Sequence, residues 1–447
     1  MTRTLIALLL AAAMPAAWAK TVKTTLDNGM TVIIREDTRA PVATAQLWYR
    51  VGSVDEHVGK SGLSHALEHM MFKGTPAVPS GEFSRRISAL GGNNNAYTSS
   101  SETVYHQTFA KQHLPEVLKL EADRMANLNF SDQEFDNEMK VIREERRQRI
   151  DDNPTGSLYE QLNLRAFQKP ANRTAVIGTM KDLYQLKAGD LRQWYRQWYA
   201  PNNATLVIVG DVNAEAALAE VKQQFAALPA HQLPTRHNLH EDEIRQAASA
   251  RTTGNTKQPI FIIGYRVPHL QHLDDKLPYA LDMLTNILDG HSAARFDKNL
   301  IRGQQLALEI STGYSLFGRP PQLWLVSAMP SERSSVAQLR QAIEAQIADI
   351  AANGVSEEEL ARARVREESS AVYARDSVEG QASLIGTLET NGFSHADEDE
   401  IRRRIKAVSS ADIQAAAKLL TDPRRQVFVR IDPRPAASAA PTKAKKK

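Results

Sequence analysis

The amino-acid sequence predicts an α+β protein of two similar domains, each a mainly antiparallel sheet covered by helices. A chain of 447 residues is longer than one ordinary domain. Strand-like and helical segments follow one another without the regular alternation of a parallel α/β sheet. Each half begins with a strand and carries helices in its middle, which indicates a duplication.

The N-terminus has the composition of a secretory signal peptide. Arg3 supplies a short positive region, residues 5–13 are an unbroken apolar run, and residues 17–19 (Ala-Trp-Ala) fit the small-x-small cleavage rule. Residues 1–19 are therefore predicted to be removed, and the protein is expected in the periplasm. The apolar run is too short to span a bilayer comfortably, and no later uncharged stretch is as long, so no stable membrane insertion is expected.

Changes in composition mark the other predicted boundaries. A polar stretch without periodicity, residues 230–256, is predicted to link an N-terminal domain at 20–229 to a C-terminal domain at 257–432. The last segment, residues 433–447, is rich in Pro, Ala and Lys, and is predicted to be a disordered basic tail.

Composition also excludes several classes of function. The chain has no cysteine, which rules out disulfides, thiolate metal ligands and a cysteine nucleophile. The formal net charge is +3, but six of the positive side chains lie in the signal peptide and the tail, so the remaining body is slightly acidic. No nucleic-acid partner is therefore expected.

Periodicity and turn residues place the individual elements. Runs rich in β-branched and aromatic residues predict strands, and Gly, Pro and cap residues set the helix ends. In the first half we predict strands at 30–35, 43–51 and 203–212, paired strands within 91–110, and helices around 65–72, 82–90, 113–128, 133–150 and 214–228. In the second half we predict strands at 259–267, 306–314, 322–328 and 425–431, and helices at 331–351 and 356–374.

The segment HALEHMMF, residues 65–72, carries a possible metal site. On a helix His65, Glu68 and His69 share one face, because positions i, i+3 and i+4 are neighbours. Two imidazoles one turn apart can bind one Zn²⁺, and the intervening glutamate can move a proton. A solvent-exposed helix face without a metal would carry the same residue types. A third ligand is therefore needed to distinguish a metal site from such a face. The other face is apolar and is predicted to be buried; it comprises Leu63, Ala66, Leu67, Met70 and Met71.

A second helix offers that third ligand. In EMKVIREE, residues 138–145, Glu138 and Glu145 lie seven residues apart and so share a face. One carboxylate could bind the metal while the other orients a histidine ligand. A solvated helix with salt bridges is the alternative. Spacing alone leaves open whether Glu144 or Glu145 is the ligand.

Three segments in this order resemble the pitrilysin/insulinase family of inverted-motif (HxxEH) zinc metallopeptidases, as a half-size bacterial member related to the mitochondrial processing peptidases. They are GKSGLSHALEHMMFKGT (59–75), GGNNNAYTSSSETVYH (91–106) and EMKVIREERRQRIDDNP (138–154). The resemblance implies one Zn²⁺ per chain, with His65, His69 and Glu145 as ligands. It further implies Glu68 as the general base and Glu138 as a supporting catalytic carboxylate.

The same resemblance implies how substrate is bound. In the family, an Asn-Ala strand adds the extended substrate to the sheet as a further strand, and Asn95 and Ala96 match those positions. The implied function is a periplasmic zinc endopeptidase that cleaves short or unfolded peptides in a closed chamber. Each chain would form half of a clamshell, so a dimer is expected.

One family feature is missing from the second half. Family members with a complete site carry an Arg and a Tyr that help to stabilise the oxyanion, and here Ile301 and Leu308 stand at those positions. Arg302 and Tyr314 could substitute in a shifted register, or the chain could be weakly active alone. We favour a third interpretation, a heterodimer in which a related chain supplies the Arg/Tyr pair; a homodimer is the second choice. The alternative class is a non-catalytic structural or peptide-binding subunit.

Overall fold

The computed structural model describes residues 20–242 and 246–435. The predicted signal peptide and most of the predicted tail lie outside the described residues. Two sheets organise this part of the chain. The strands are β1 (Thr21–Thr25), β2 (Thr31–Glu36), β3 (Val42–Tyr49), β4 (Asn93–Thr98), β5 (Thr103–Ala110), β6 (Ala204–Gly210), β7 (Ala248–Gly254), β8 (Ile260–Val267), β9 (Ala307–Gly313), β10 (Gln322–Pro330) and β11 (Gln426–Pro433).

Helices cover both sheets. Those before the second sheet are α1 (Leu63–Met70), α2 (Glu82–Ala89), α3 (Leu114–Asn127), α4 (Asp132–Arg146), α5 (Pro154–Ala166), α6 (Pro170–Arg173), α7 (Met180–Gln185), α8 (Ala188–Trp198) and α9 (Ala214–Phe225). The later ones are α10 (Lys276–Leu288), α11 (Val336–Asn353), α12 (Glu357–Asp376), α13 (Val378–Thr390), α14 (Glu398–Ala407) and α15 (Ser410–Leu420). Two segments, Arg147–Asp151 and Phe296–Gly303, form π-helical turns.

The two sheets have the same topology, which confirms the predicted duplication. Their strand orders are β1-β2-β6-β3-β5-β4 and β7-β11-β8-β10-β9. When β1 is left out, the five strands of each sheet lie in the same order: the first strand in the chain, then the last, the second, the fourth and the third. Each has a single parallel pair, β2 with β6 and β7 with β11, and the remaining neighbours are antiparallel. The predicted fold class, two similar domains with mainly antiparallel sheets, is confirmed.

Each sheet buries one face against helices of its own half. In the first domain this core joins strand residues such as Leu47 and Ile208 to Leu67 of α1 and Trp194 of α8. In the second domain Phe261 and Trp324 pack against Leu284 of α10 in the same manner. Burial of these apolar side chains is the main force that fixes α1, the helix with the two histidines, on its sheet.

The outer face of each sheet is covered by a helix from the other half. Helix α5 places Leu158 and Leu162 against Val429 and Ile262 of the second sheet. Helix α13 places Ala382 and Ile385 against the outer face of the first sheet, next to Trp48. This approach is close enough that a Cβ atom at Gly386 would overlap the Trp48 ring.

The segment predicted as a linker differs in part from the prediction. Within 230–256, strand β7 pairs in parallel with β11 at the edge of the second sheet. Its sequence ASARTTG is built from small and hydroxyl residues, and its burial alternates along the strand. An edge strand with one covered face needs little hydrophobicity, which is why the segment reads as a polar connection.

Candidate metal centre

Helix α1 is held at its N-terminus by residues outside the motif. Gly62 has a positive φ of 90°, and a Cβ there would lie 2.8 Å from the Ile177 carbonyl oxygen. The buried Glu56 carboxylate accepts hydrogen bonds from Gly62 N (2.8 Å) and Ser64 N (2.7 Å). These first N–H groups have no acceptor within the helix, and Glu56 supplies one for each, so it fixes the position of the turn that carries His65.

Helix α1 turns its apolar face into the core. All five residues of the predicted apolar face are buried: Leu63, Ala66, Leu67, Met70 and Met71. His65 is also buried, whereas Glu68 and His69 are half-buried on the side that faces α4 and β4. The helix therefore presents its three polar motif residues toward a partly covered cleft.

The structure brings His65, His69 and Glu145 together. Glu145 Oε2 lies 3.4 Å from His69 Nε2 and 3.7 Å from His65 Nε2. One ligand atom from each residue lies within 4.8 Å of the others, and in 20–242 and 246–435 this is the one group of three or more His, Cys, Asp or Glu residues able to hold a metal ion. Glu144 is on another side of α4, where its exposed carboxylate pairs with Arg147 at 2.8 Å.

The donor set has the chemistry of a zinc site. Two imidazoles and one carboxylate are typical Zn²⁺ ligands, and three protein ligands leave a position open. Glu145 Oε2 is buried without a hydrogen-bond partner in the described part of the chain. A buried carboxylate oxygen that faces two ring nitrogens and has no donor of its own is an unsatisfied acceptor, and a bound cation satisfies it. The residues present fit the metal.

Glu138 lies behind His69. Its Oε1 is 2.8 Å from His69 Nδ1, and its Oε2 is 2.5 Å from Lys73 Nζ. When His69 Nδ1 donates its proton to Glu138, the Nε2 lone pair is left facing the cluster. Glu138 therefore orients a candidate ligand, and Lys73, in the segment after α1, holds Glu138 in place.

Burial and local charges displace the pKa values in the cluster. Burial and the nearby His69 lower the pKa of His65 to about 4. Burial lowers the pKa of His69 as well, but its hydrogen bond to Glu138 and the nearby Glu145 carboxylate outweigh this and raise it to about 9. The bond to His69 lowers the pKa of Glu138 to about 2, so Glu138 stays ionised as a proton acceptor for that ring.

Glu68 is positioned by the neighbouring sheet edge. Thr98 Oγ1, at the end of β4, donates a hydrogen bond of 2.5 Å to Glu68 Oε2. Burial raises the pKa of Glu68, and the Thr98 bond opposes that shift. A carboxylate with a raised pKa beside a metal-ligand set is well suited to proton transfer near neutral pH.

Strand β4 forms an edge of the first sheet. It pairs with β5 on one side and ends the strand order on the other. Asn95 is exposed and its side-chain Oδ1 accepts a hydrogen bond from Ala96 N at 2.9 Å. Asn95 and Ala96 thus lie on the edge strand of the sheet. The same strand ends at Thr98, whose hydroxyl contacts Glu68.

The second-half residues considered as substitutes are engaged locally. Arg302 pairs with Asp297 at 2.5 Å within a π-helical turn. Tyr314 donates its hydroxyl proton to the Pro268 carbonyl at 2.7 Å. Leu308 on β9 is 54% exposed and has no polar side-chain atom to offer.

Sequence reasoning missed three residues of the site: Glu56, Lys73 and Arg149. Arg149 Nη2 lies 2.9 Å from Glu145 Oε1, so it binds the carboxylate oxygen that faces away from the histidines. Its spacing of four from Glu145 was a usable signal. Glu56 and Lys73 act through contacts that only the folded chain creates.

The fold and the site define a class: a duplicated α/β protein of the metallopeptidase type, with its metal-ligand set in the first domain. Residues 31–179 match the family described as insulinase (peptidase family M16), and residues 185–366 match the peptidase M16 inactive domain. The chain belongs to the M16 peptidase family. The predicted resemblance is thereby confirmed.

Named relatives and solved structures agree with this placement. Zinc protease PqqE of Helicobacter pylori is 28% identical over 366 residues, which cover 80% of this chain and 81% of the relative. The crystal structure of a protease from Helicobacter pylori has a TM-score of 0.87 at 25% identity and covers 93% of this chain and 100% of its own. The first half of the periplasmic protease PqqL from Escherichia coli shares the fold, with a TM-score of 0.76, 21% identity and 92% coverage of each chain.

Among the described residues, no helix is both long and apolar enough to cross a bilayer.

Proposed function

We propose that the protein is a zinc-dependent endopeptidase that cleaves short or unfolded peptides. The observation that carries this proposal is the convergence of His65, His69 and Glu145, with Glu68 on the same helix face. Membership of the M16 family and relatives named zinc proteases support it.

In the proposed mechanism His65, His69 and Glu145 hold one Zn²⁺. The bound metal supplies Lewis-acid polarisation of the scissile carbonyl and lowers the pKa of water. Glu68 accepts a proton from the attacking water and later donates it to the leaving amine. Thr98 holds Glu68 Oε2 in place during this cycle, and Glu138 keeps His69 in the tautomer that a ligand needs.

The substrate is proposed to bind as an added strand on β4. Asn95 and Ala96 lie on its free edge, and main-chain hydrogen bonds there would align an extended peptide independently of its sequence. Most segments of a folded protein already use their main-chain groups within their own structure, so short or unfolded peptides are the expected substrates.

We further propose that the chain works as half of a dimeric clamshell that closes around the peptide. The missing Arg/Tyr pair, with Leu308 exposed and Arg302 and Tyr314 engaged elsewhere, favours a related partner chain that provides those donors. Such a donor is worth roughly 2.7–4 kcal/mol of transition-state stabilisation. A periplasmic location is proposed from the predicted signal peptide and from the similarity to PqqL of Escherichia coli, which is a periplasmic protease.

The second candidate is a non-catalytic subunit of the same fold that binds peptides or supports an assembly. The exposed Leu308 in place of an oxyanion donor is the observation that favours it. Such a subunit would have no need of a stoichiometric metal or of an ionisable Glu68.

Peptidase activity of the purified, zinc-loaded chain on a mixed pool of unstructured peptides tests the proposal, with Glu68→Gln as the comparison. If the chain cleaves peptides and the Glu68→Gln variant does not, although the variant still binds one zinc per chain, the result supports the endopeptidase. It also shows that no partner chain is needed. Bound zinc without cleavage directs the search to a partner chain. Absence of stoichiometric zinc favours the non-catalytic subunit.

A further inference from the structure

A cavity of about 510 Å³ lies between the two domains, at the turn that follows strand β4. One wall is the turn after β4, at Ser99 and Ser100, together with Tyr159 of α5. The opposite wall is Leu323 and Leu325 of the second sheet. Its volume is in the range of ordinary ligand clefts.

Two of its walls continue directly from the metal centre. Ser99 follows Thr98, whose hydroxyl binds Glu68, and at about 3.3 Å per residue Ser100 is only two steps further along the chain. Helix α5 begins at Pro154, just after the π-helical turn that ends α4 and carries Arg149. The residue that holds Glu68 and a wall of this cavity are therefore only one or two residues apart along the chain, at the end of the strand proposed to align the peptide.

The cavity is built into the interdomain contact. Arg319 of the second domain donates to both carboxylate oxygens of Asp55, at 2.7 and 2.9 Å, and to the Ser101 carbonyl at 3.0 Å. Ser53 N and Val54 N bind the carbonyls of Ser99 and Ser100. These bonds fix the turn after β4 relative to the second sheet.

The chemistry of the walls is uncharged. None of the described residues that line the cavity is Asp, Glu, Lys, Arg or His. Helix α5 lies over β7, β8 and β11, so the outward-facing Leu323 and Leu325 of β10 are only partly covered. Tyr159 adds an aromatic ring that is 37% exposed. Such walls favour an apolar side chain and disfavour an ion, which would lose its hydration.

We propose that this cavity is a specificity subsite for a large apolar side chain, Phe-like in chemistry, of the bound peptide. The side chain belongs to the part of the peptide that extends beyond the Thr98 end of β4. The inference rests on the proposed function in that it takes the ligand to be a peptide, but binding at this subsite does not require cleavage.

Asn163 permits a sharp test, because it lines the cavity one turn after Tyr159. Asn163→Asp places a carboxylate in the uncharged cavity with almost no change in shape. Gln161→Glu makes a similar amide-to-acid change on α5 outside the cavity lining and serves as the matched control.

The measurement is equilibrium binding to the Glu68→Gln chain, which cannot turn the peptides over. The probes are ten-residue Ala/Ser peptides with one Phe at each position in turn, and a second series with Lys. We expect tighter binding of Phe at one register, by on the order of ten-fold. Asn163→Asp should abolish that preference and favour Lys at the same register, whereas Gln161→Glu should leave it unchanged.

Two results would overturn the subsite. One is that a Phe-containing peptide binds no better than the Ala/Ser peptide at any register. The other is that Asn163→Asp and Gln161→Glu change the Phe preference equally. Cleavage by the unmodified chain is measured separately on the peptide pool. Loss of the subsite with retained cleavage refutes this inference alone, whereas retained Phe selectivity with neither cleavage nor stoichiometric zinc contradicts the proposed peptidase and leaves the subsite standing.

Discussion

His69 Nδ1 lies 2.8 Å from Glu138 Oε1, and the second oxygen of the same carboxylate lies 2.5 Å from Lys73 Nζ. His65 has no comparable support, since its Nδ1 is buried without a hydrogen-bond partner among the described residues. The two histidines are therefore unequal, and His69 is the one whose orientation is fixed before any metal binds.

Replacing Glu138 should weaken zinc binding without unfolding the chain. Glu138→Gln keeps the shape of the side chain but removes the charge that holds the His69 proton, so the zinc affinity should fall about 10- to 100-fold. Competition with a chromophoric chelator measures it. Glu134→Gln changes the N-terminal turn of the same helix and should leave the zinc affinity unchanged; an equal loss in both variants would point to a general effect on α4.

The choice between adjacent glutamates can be decided by metal content. Glu145→Gln should lose stoichiometric zinc because it removes the one carboxylate beside both histidines. Glu144→Gln should retain it, since Glu144 is 54% exposed and pairs with Arg147. Atomic absorption on dialysed protein gives the answer, and a zinc-free Glu144→Gln variant would contradict the proposed ligand set.

Asp55 is expected to be critical for stability. Its side chain is fully buried and accepts hydrogen bonds from Arg319 and Arg236. Asp55→Asn would leave the guanidinium groups without their counter-ion, which should cost about 3–5 kcal/mol of unfolding free energy. Thermal or urea unfolding measures the loss. Asp132→Asn, which breaks a pair with Arg192 at a 78% exposed carboxylate, should change the stability by less than about 1 kcal/mol.

Asp282 should make the stability of the second domain depend on pH. Burial, with the nearby Glu367, raises its pKa to about 7, above about 3.9 in an unfolded chain. The folded state thus holds the proton more tightly, and this contribution is complete below about pH 4 and lost as pH rises through 7. Asp282→Asn should therefore gain in melting temperature relative to the parent chain between pH 4 and 8.

The matched control for that pH series is Asp274→Asn, because Asp274 is 89% exposed. Its melting temperature should follow the parent chain at every pH. If the difference in melting temperature between the parent chain and Asp282→Asn does not vary with pH, the raised pKa of Asp282 is contradicted.

Local patterns in the sequence were enough to predict most elements. Residue spacing shows directly which side chains share a helix face. This holds for His65, Glu68 and His69 on α1, and for Glu138 and Glu145, seven residues apart, on α4. Spacing could not show whether Glu144 or Glu145 is the ligand. Adjacent residues point to different sides of a helix, and the sequence does not show which side of α4 faces the histidines. The structure turns Glu145 toward the histidines, although its role as a ligand stays a prediction.

Features that depend on distant contacts were not predictable in this way. The roles of Glu56 and Lys73 arise from partners brought close by folding. Strand β7 has little hydrophobic signal because it lies at a sheet edge. Nothing in the sequence of α13 indicates that it covers the sheet of the other half, since its apolar residues would fit either domain.

The crossed placement of α5 and α13 sets a limit on how the chain can be divided. A fragment that ends near residue 230 would keep α5 but lack the second sheet, so Leu158 and Leu162 would face water. It would also lack α13 and expose Trp48 and Val207 on its own sheet. The complementary fragment would have the converse defect. The two halves share one topology, yet each covers the outer sheet face of the other, so we expect a chain cut between them to leave two fragments with exposed apolar surface that aggregate.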